Sequence, residues 1–157
     1  MALDGPLVIA YDGSDEFALV LSKAAPMLAP RHALVVVVWE AGVPYELFAM
    51  PRDVTPAPVH VDTAVKLDRV LLEGAQKLAQ RGAALAREAG FDAIGLAVAD
   101  ELTIPETIVH IANERDAEGI LVGSHGRGLS KLLLGSTSEG VLRKTDRPVV
   151  VVRVKED

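Results

Sequence analysis

Hydrophobic residues occur along this chain in short unbroken runs, and longer segments with helical spacing lie between them. The runs are rich in Val and Ile, and most lack the alternation of a half-exposed strand. They therefore predict strands that are buried on both faces of a sheet. Five runs have this character: residues 7–11, 34–39, 94–99, 120–122 and the run from Val149 to Val154.

The segments between these runs predict four helices. The first presents an apolar face made of Phe17, Val20, Leu21, Ala24 and Leu28. Ser14 is its expected N-cap, because a serine side chain can accept a hydrogen bond from the first turn. Pro26 is expected to end or bend this helix, because proline has no N–H to donate.

The longest predicted helix covers residues 63–89, and Gly90 is its expected C-terminal stop. Helical spacing favours an inward stripe on this helix. The stripe consists of Leu67, Val70, Leu71, Gly74, Leu78 and Leu85.

The two remaining helices are shorter. The third begins near Thr103, whose spacing to Glu106 is that of a capping box. It is expected to turn Ile108 and Ile111 inward. The fourth covers residues 138–144.

Strands and helices alternate throughout the chain. Crossovers of this length require parallel strands, and right-handed crossovers place helices on both faces of the sheet. The sequence therefore predicts an α/β fold, a doubly wound five-stranded parallel sheet that forms one domain over residues 1–157. Residues 41–62 contain four prolines and no clear period, so they predict a long loop.

Composition excludes several classes of protein. The formal net charge of −6 disfavours binding to nucleic-acid backbones, and the absence of cysteine excludes disulfides and thiolate metal sites. The N-terminus lacks the basic and apolar segments of a secretory signal, and no run reaches the roughly 18 apolar residues of a membrane helix. We therefore expect a cytoplasmic protein whose partners include neither nucleic acid nor membrane.

The loop after the fourth predicted strand has the composition of a phosphate site. Its glycines allow a close approach of the backbone to an anion, and the start of the following helix adds free N–H groups at Gly135, Ser136 and Thr137. Arg127 and Lys131 add positive charge. A structural alternative stays open, because Ser136 and Glu139 have capping-box spacing and glycine-rich turns are common.

Asp12 follows the first predicted strand and is expected near the same edge of the sheet. Because Asp15 and Glu16 would repel phosphates, this loop is better suited to a sugar hydroxyl or the edge of a base. A turn-forming role in the dipeptide Asp12-Gly13 is the alternative.

Four segments together resemble the universal stress protein family over essentially the whole chain. They are IAYDGS, VVVVWE, EGILVGSHGRG and LLLGSTSEGVLRKTDRPVVVVR. The resemblance implies a Rossmann-like sheet with strand order 3-2-1-4-5. It also implies that the ligand is ATP or AMP, with Mg²⁺ as an optional companion, and that the protein acts in stress response or regulation.

In the ATP-binding branch of that family, a glycine signature binds the phosphates and ribose. The resemblance assigns this role to Gly123, Gly126, Gly135 and Ser136, places Asp12 near adenine and ribose, and adds a backbone N–H from Thr137. It further implies that Ala10 lies near the base, that the backbone of Val38 contacts adenine, and that Val122 precedes the loop.

The signature departs from the family pattern at one point. Eight residues, rather than nine, separate Gly126 from Gly135. A glycine-rich loop could absorb the shortening near Arg127 and Gly128. The shortening could instead move Ser136 out of register with the phosphates.

The sequence does not predict an enzyme. It has no Walker A motif and no kinase signature, His125 has no evident carboxylate partner, and the four histidines lack metal-ligand spacing. Slow ATP hydrolysis or self-phosphorylation, known in some relatives, stays an alternative. Another is a nucleotide-free dimer that acts through a protein partner of unknown identity.

The last predicted strand suggests how the chain would assemble. The run from Val149 to Val154 is apolar and is expected at a sheet edge, where an uncovered strand promotes aggregation. Pairing with a second copy across a two-fold axis would cover it, and the resemblance implies homodimers of this kind.

Overall fold

The computed structural model describes residues 5–40, 59–100, 102–124 and 134–154. These residues contain five strands: β1 Leu7–Ala10, β2 His32–Trp39, β3 Asp92–Ala99, β4 Gly119–Gly123 and β5 Val149–Val152. They also contain four helices: α1 Phe17–Leu28, α2 Val59–Glu88, α3 Ile104–Glu114 and α4 Ser136–Lys144. All strand pairs are parallel, and the sheet order is β3-β2-β1-β4-β5. The predicted fold and strand order are confirmed.

Two hydrophobic clusters lie on opposite faces of the sheet. One contains Ile9, Val35 and Leu121 together with the buried sides of α1 and α2. The other contains the preceding strand residues, Val8, Leu34 and Ile120, together with α3 and α4. Successive strand residues point to opposite faces, so a strand covered on both sides needs an unbroken apolar run.

The start of α1 differs from the prediction. Glu16, not Ser14, is the N-cap, and no side chain caps this helix. The N–H of Ser14 instead donates to Oδ1 of Asp12 at 2.9 Å, and its carbonyl accepts from the N–H of Phe17 at 3.3 Å. The Asp12 turn therefore moves the helix start by two residues. Pro26 does not end α1, which continues to Leu28, because Pro26 lies in the last turn.

The start of α2 lies inside the segment that was predicted as a loop. Helical residues begin at Val59, whereas the loop was expected to reach residue 62. The rest of that predicted loop, residues 41–58, lies outside the described residues.

The predicted inward stripe of α2 is wrong over its first half. Leu67, Val70 and Leu71 are 42%, 63% and 43% exposed, and Gly74 also faces solvent. The buried side of the helix is instead formed by Gly82 and by alanines at 64, 75, 79, 83 and 86. Near Ala79 the helix lies very close to Gly95 of β3, where an added Cβ would come within 2.5 Å of the carbonyl carbon of Ala79.

The remaining boundaries agree closely with the predictions. The capping box of α3 is present: Oγ1 of Thr103 accepts from the N–H of Glu106, and Oε2 of Glu106 accepts from the N–H of Thr103. Ile108 and Ile111 are buried as expected. The fourth helix begins at Ser136, two residues earlier than predicted, and β5 ends at Val152.

Candidate functional site

A cavity of about 240 Å³ opens at the carboxyl ends of the central strands. It lies between β1 and β4, where the order of the strands along the chain reverses. Ligands of open parallel sheets bind at this position, because the helix N-termini and the loops that follow the strands converge there.

The polar end of the cavity is the first turn of α4. Ser136, Thr137 and Ser138 line it, and their N–H groups have no acceptor within the helix because the helix begins with them. Gly135 is the N-cap and has no side chain that could satisfy these groups. The capping box that Ser136 and Glu139 might have formed is absent, because Gly135 and not Ser136 is the N-cap. Glu139 instead pairs with Arg143 at 2.5 Å. This turn therefore offers N–H groups and the positive end of a helix dipole to an anion.

Hydrogen bonds hold this turn against the end of β4. The N–H of Gly135 donates to the carbonyl of Ser124 at 2.8 Å, and Oγ of Ser138 donates to the carbonyl of Gly123 at 2.5 Å. The N–H of Ser124 in turn donates to Val152 of β5 at 2.9 Å. These hydrogen bonds join the two ends of the shortened loop to each other, and Ser136 lies at the cavity.

Two carboxylates lie on the opposite side of the opening. Asp12 is exposed, and its Oδ1 accepts from the N–H of Ser14 in a turn that requires the positive φ of 85° at Gly13. Glu16, the N-cap residue of α1, also lines the cavity. The opening therefore has acidic groups on the α1 side and N–H donors on the α4 side.

The interior of the cavity is apolar. Ala10, Val36, Val38 and Val122 supply strand residues, while Ile104 and Ile108 of α3 form a wall. On the α1 side, the rings of Tyr11 and Phe17 stack with centroids 4.1 Å apart. A slot of this kind suits a flat apolar group.

The wall formed by α3 is attached to α4. Glu106 in the first turn of α3 accepts a hydrogen bond from Nζ of Lys144, at the end of α4, at 2.9 Å. This bond, together with those from the N–H and hydroxyl of Thr103, lowers the pKa of the Glu106 carboxyl to about 2. The carboxylate therefore stays charged, and the link between the helices persists, well below neutral pH.

Most of the residues predicted for the site lie together around this cavity. They are Ala10, Asp12, Val38, Val122, Gly123, Gly135, Ser136 and Thr137. The predictions for Gly126 and Arg127, like those for His125, Gly128 and Lys131, fall outside the described residues.

Sequence reasoning missed the walls of the cavity. Ile108 was expected only to pack inward, Ile104 was given no role, and Tyr11 and Phe17 were assigned to a strand and a helix face. Ser138 was placed at the helix start without a role, although its hydroxyl lies three residues after Gly135 and faces β4. A polar residue at the third position of a helix that follows a glycine could have indicated such a contact.

Metal ligands and membrane-spanning helices were also considered for residues 5–40, 59–100, 102–124 and 134–154. Among those residues, no group of three or more His, Asp or Glu side chains is placed to hold a metal ion. No helix there is long and apolar enough to cross a membrane.

Known proteins with similar sequence and structure point to one family. The universal stress protein MJ0577 of Methanocaldococcus jannaschii is 39% identical over 66 residues, which are 40% of this chain and 41% of that protein. The match therefore spans about two fifths of the length of this curated relative. The solved structure of MJ0577 superposes with a TM-score of 0.73 and 22% identity, over 99% of this chain and 100% of that one.

Two other similar solved structures are complexes with nucleotides. A universal stress protein from Archaeoglobus fulgidus in complex with dAMP has a TM-score of 0.62 and 22% identity, over 96% of this chain and 98% of that one. A universal stress protein in complex with cAMP has a TM-score of 0.59 and 18% identity, over 97% and 98% of the two chains. At these identities the superpositions establish a shared fold.

The sequence model of one family matches nearly the whole chain. The match covers residues 5–153, from the residues just before β1 to those just after β5, and the family is the universal stress protein family. It includes every strand and helix described above. The chain therefore belongs to the universal stress protein family.

Proposed function

We propose that the cavity binds an adenine nucleotide, AMP or ATP, and that its occupancy serves a regulatory role in stress response. The observation that carries this proposal is the uncapped first turn of α4, which faces the cavity with N–H groups and has no side-chain cap. Such a turn favours a phosphate group. The apolar slot beside it favours the base.

The backbone of Val38 is well placed for the edge of adenine. The pairing between β1 and β2 ends at Ala10 and Val36, whereas the pairing between β2 and β3 continues to Trp39. The N–H of Tyr11 bonds to Val36, and the N–H of Asp100 bonds to Trp39, so alternate residues of β2 face β1 and β3. Val38 therefore directs its N–H and carbonyl towards the side where β1 has ended, and these groups are available to a base.

Asp12 is the proposed acceptor for a ribose hydroxyl. Its carboxylate lies at the opening, and one oxygen is held in place by the N–H of Ser14. The complexes of related folds with dAMP and cAMP support an adenine nucleotide as the ligand class. Gly123 completes the phosphate side, Gly126 keeps the role implied by the family signature, and Arg127 keeps its role as a source of positive charge.

If the ligand is ATP, its phosphates carry more charge than the α4 turn alone can offset. Mg²⁺ prefers oxygen ligands, and Asp12 and Glu16 supply carboxylate oxygens to the cavity. A bound ion would reduce the repulsion between these carboxylates and a polyphosphate.

The phosphate site can be tested by removing one N–H while the helix is kept. Proline is favoured at the first helical position, and Gly135 already has the extended conformation (φ −62°, ψ 156°) that proline requires of its neighbour. In Ser136→Pro we expect the affinity for AMP to fall at least about tenfold, as for a lost bond to a charged group. The affinity for adenosine should not change.

Ser136→Ala is the matched control, because it removes the hydroxyl and keeps the N–H. Calorimetric titration of AMP and adenosine should separate the two variants. If the affinities for AMP and adenosine fall equally in Ser136→Pro, the phosphate does not lie at α4. If the wild type binds neither AMP nor ATP at millimolar concentration, the proposed function is wrong, and action through a protein partner becomes the better reading.

We also propose a homodimer formed through β5. This strand is at the edge of the sheet and pairs only with β4 among the described strands. Its carbonyls at Pro148 and Val152 accept from β4, so alternation directs the backbone of Val151 outwards. Two such edges could pair across a two-fold axis from Val149 to Val154.

Val151→Pro tests this interface without disturbing the sheet. Proline is tolerated in an edge strand where its missing N–H faces outwards. We expect the wild type to sediment as a dimer and Val151→Pro as a folded monomer. A monomeric wild type, or a dimer that is unchanged by the substitution, would refute the edge-pairing interface.

A further inference from the structure

The helices α3 and α4 touch through a glycine. Gly140 in the middle of α4 faces Pro105 in the first turn of α3, and a Cβ added at Gly140 would lie 2.5 Å from Cγ and 2.7 Å from Cβ of Pro105. Carbon atoms in contact are normally about 3.5–4.0 Å apart. An alanine at this position would therefore force the helices apart by about 1 Å.

A glycine in the middle of α4 lowers the stability of the helix, so its presence calls for a structural explanation. Alanine is the better helix former, and glycine in the middle of a helix weakens it. The close contact with Pro105 is such a reason. It identifies Gly140 as a residue that fixes the distance between two helices.

Both helices contribute walls of the ligand cavity. Thr137, Gly140 and Lys144 are three and four residues apart, so they lie along one face of α4. Thr137 lines the cavity, Gly140 contacts α3, and Lys144 bonds to Glu106 of α3 at 2.9 Å. On α3, Ile104 and Ile108 flank the contact residue and line the same cavity.

We infer that the contact between Gly140 and Pro105 sets the width of the ligand cavity, and that Gly140 is a positioning residue for the ligand. The contact holds the apolar wall of α3 at a fixed distance from the N–H groups of α4. The ion pair between Glu106 and Lys144 holds the same two helices together on one side of it. This inference rests on the proposed nucleotide site, since the width that Gly140 sets is the width available to that nucleotide.

Gly140→Ala is the direct test, and the chain supplies a matched control. Gly74 lies in α2, and an added Cβ there would meet no atom of the described residues within 4 Å beyond the nearby backbone of its own helix. Both variants make the same change in a helix, but only Gly140→Ala should alter the cavity. We expect Gly140→Ala to weaken AMP binding by about tenfold, because a site must be held within about 0.5 Å of its working geometry. Gly74→Ala should bind AMP as the wild type does.

A second measurement needs no ligand. The δ-methyl resonances of Ile104 and Ile108 report on the wall of the cavity, and Gly140→Ala should shift them while Gly74→Ala does not. Adding Pro105→Gly to Gly140→Ala removes the clashing ring and should restore both the methyl shifts and the affinity towards those of Pro105→Gly alone. A residue with a merely structural role would lower thermal stability without changing either readout.

If Gly140→Ala is poorly folded, the ion pair offers a milder perturbation. Lys144→Met removes the bond to Glu106, whereas Arg143→Met removes an equal charge whose partner, Glu139, lies on the same helix. We expect Lys144→Met alone to shift the Ile104 resonance and to weaken AMP binding severalfold.

The outcomes separate this inference from the proposed function. Unchanged methyl resonances and unchanged affinity in Gly140→Ala would overturn the inference, as would equal losses in Gly140→Ala and Gly74→Ala. If the wild type binds no nucleotide, the proposed function fails. The methyl comparison then decides by itself whether Gly140 sets the width of the cavity.

Discussion

Gly95 in β3 lies directly beneath α2, and its missing side chain lets the helix pack against the sheet. A Cβ at this position would come within 2.5 Å of the carbonyl carbon of Ala79 and within 3.1 Å of the N–H nitrogen of Gln80. These are backbone atoms, so no change of rotamer can relieve the clash. Replacement of Gly95 by alanine should therefore push a whole turn of α2 away from the sheet.

The magnitude follows from the packing. Overpacking a core costs about 1–3 kcal/mol, and a backbone clash belongs at the upper end of that range. Alanine recovers about 0.4–1 kcal/mol by restricting the unfolded chain. We expect Gly95→Ala to lower the free energy of unfolding by about 2 kcal/mol, which for a chain of this size lowers Tm by about 4–8 °C.

Urea denaturation followed by tryptophan fluorescence measures this change. Trp39 is the single tryptophan of the chain and packs against the same cluster as α2. Gly74→Ala is the control, because its methyl would contact none of the described residues outside its own helix, and it should raise the free energy of unfolding by about 0.4–1 kcal/mol. If Gly95→Ala is as stable as the wild type, or if Gly74→Ala loses as much free energy of unfolding as Gly95→Ala, the close approach of α2 does not explain the glycine at position 95.

Three further substitutions test separate contacts. The pKa of Glu106 is lowered from its ordinary value of 4.5 to about 2, so its carboxylate contributes to the free energy of unfolding. This contribution is fully present above pH 4.5 and is lost as the pH falls from there towards 2. The difference in unfolding free energy between wild type and Glu106→Gln, measured by urea titration, should therefore be largest near neutral pH and shrink over that interval. Ser138→Ala removes the hydroxyl that donates to the carbonyl of Gly123, and it should lower the free energy of unfolding by about 1–3 kcal/mol in the same assay. An unchanged free energy of unfolding would contradict this hydrogen bond. Arg147→Lys gives up the forked contacts to Asn113, Asp116 and the carbonyl of Ala117. Calorimetry should therefore show a larger fall in Tm than for Arg143→Lys, because the Arg147 side chain is 24% exposed and that of Arg143 is 74% exposed.

Local patterns were enough to predict most elements of the fold. The unbroken apolar runs predicted all five strands, because a strand that is covered on both faces needs apolar residues at successive positions, as with Val8 and Ile9. The capping box of Thr103 and Glu106 was also predictable, since both partners lie within one turn of backbone. The strand order came from resemblance to a family, because periodicity does not order strands. The roles of Ala10, Val38 and Val122 also came from that resemblance, whereas Asp12 and the start of α4 were identified from the residues themselves.

The tertiary structure decided which face of a helix is inside. Hydrophobic spacing favoured Leu67, Val70 and Leu71 in α2, yet the alanines at 75, 79 and 83 are buried. Near Ala79 the helix lies so close to the sheet that even a Cβ at Gly95 would clash with its backbone. It likewise decided that Glu139 pairs with Arg143 and leaves the start of α4 uncapped.

The cavity depends on residues that are far apart in the chain. Ala10, Ile108 and Thr137 meet only when the sheet and the two helix layers are assembled. The sequence by itself determined the strands, the turns and the glycines that permit close contact. The width and walls of the site arise from distances between elements, which no local pattern encodes.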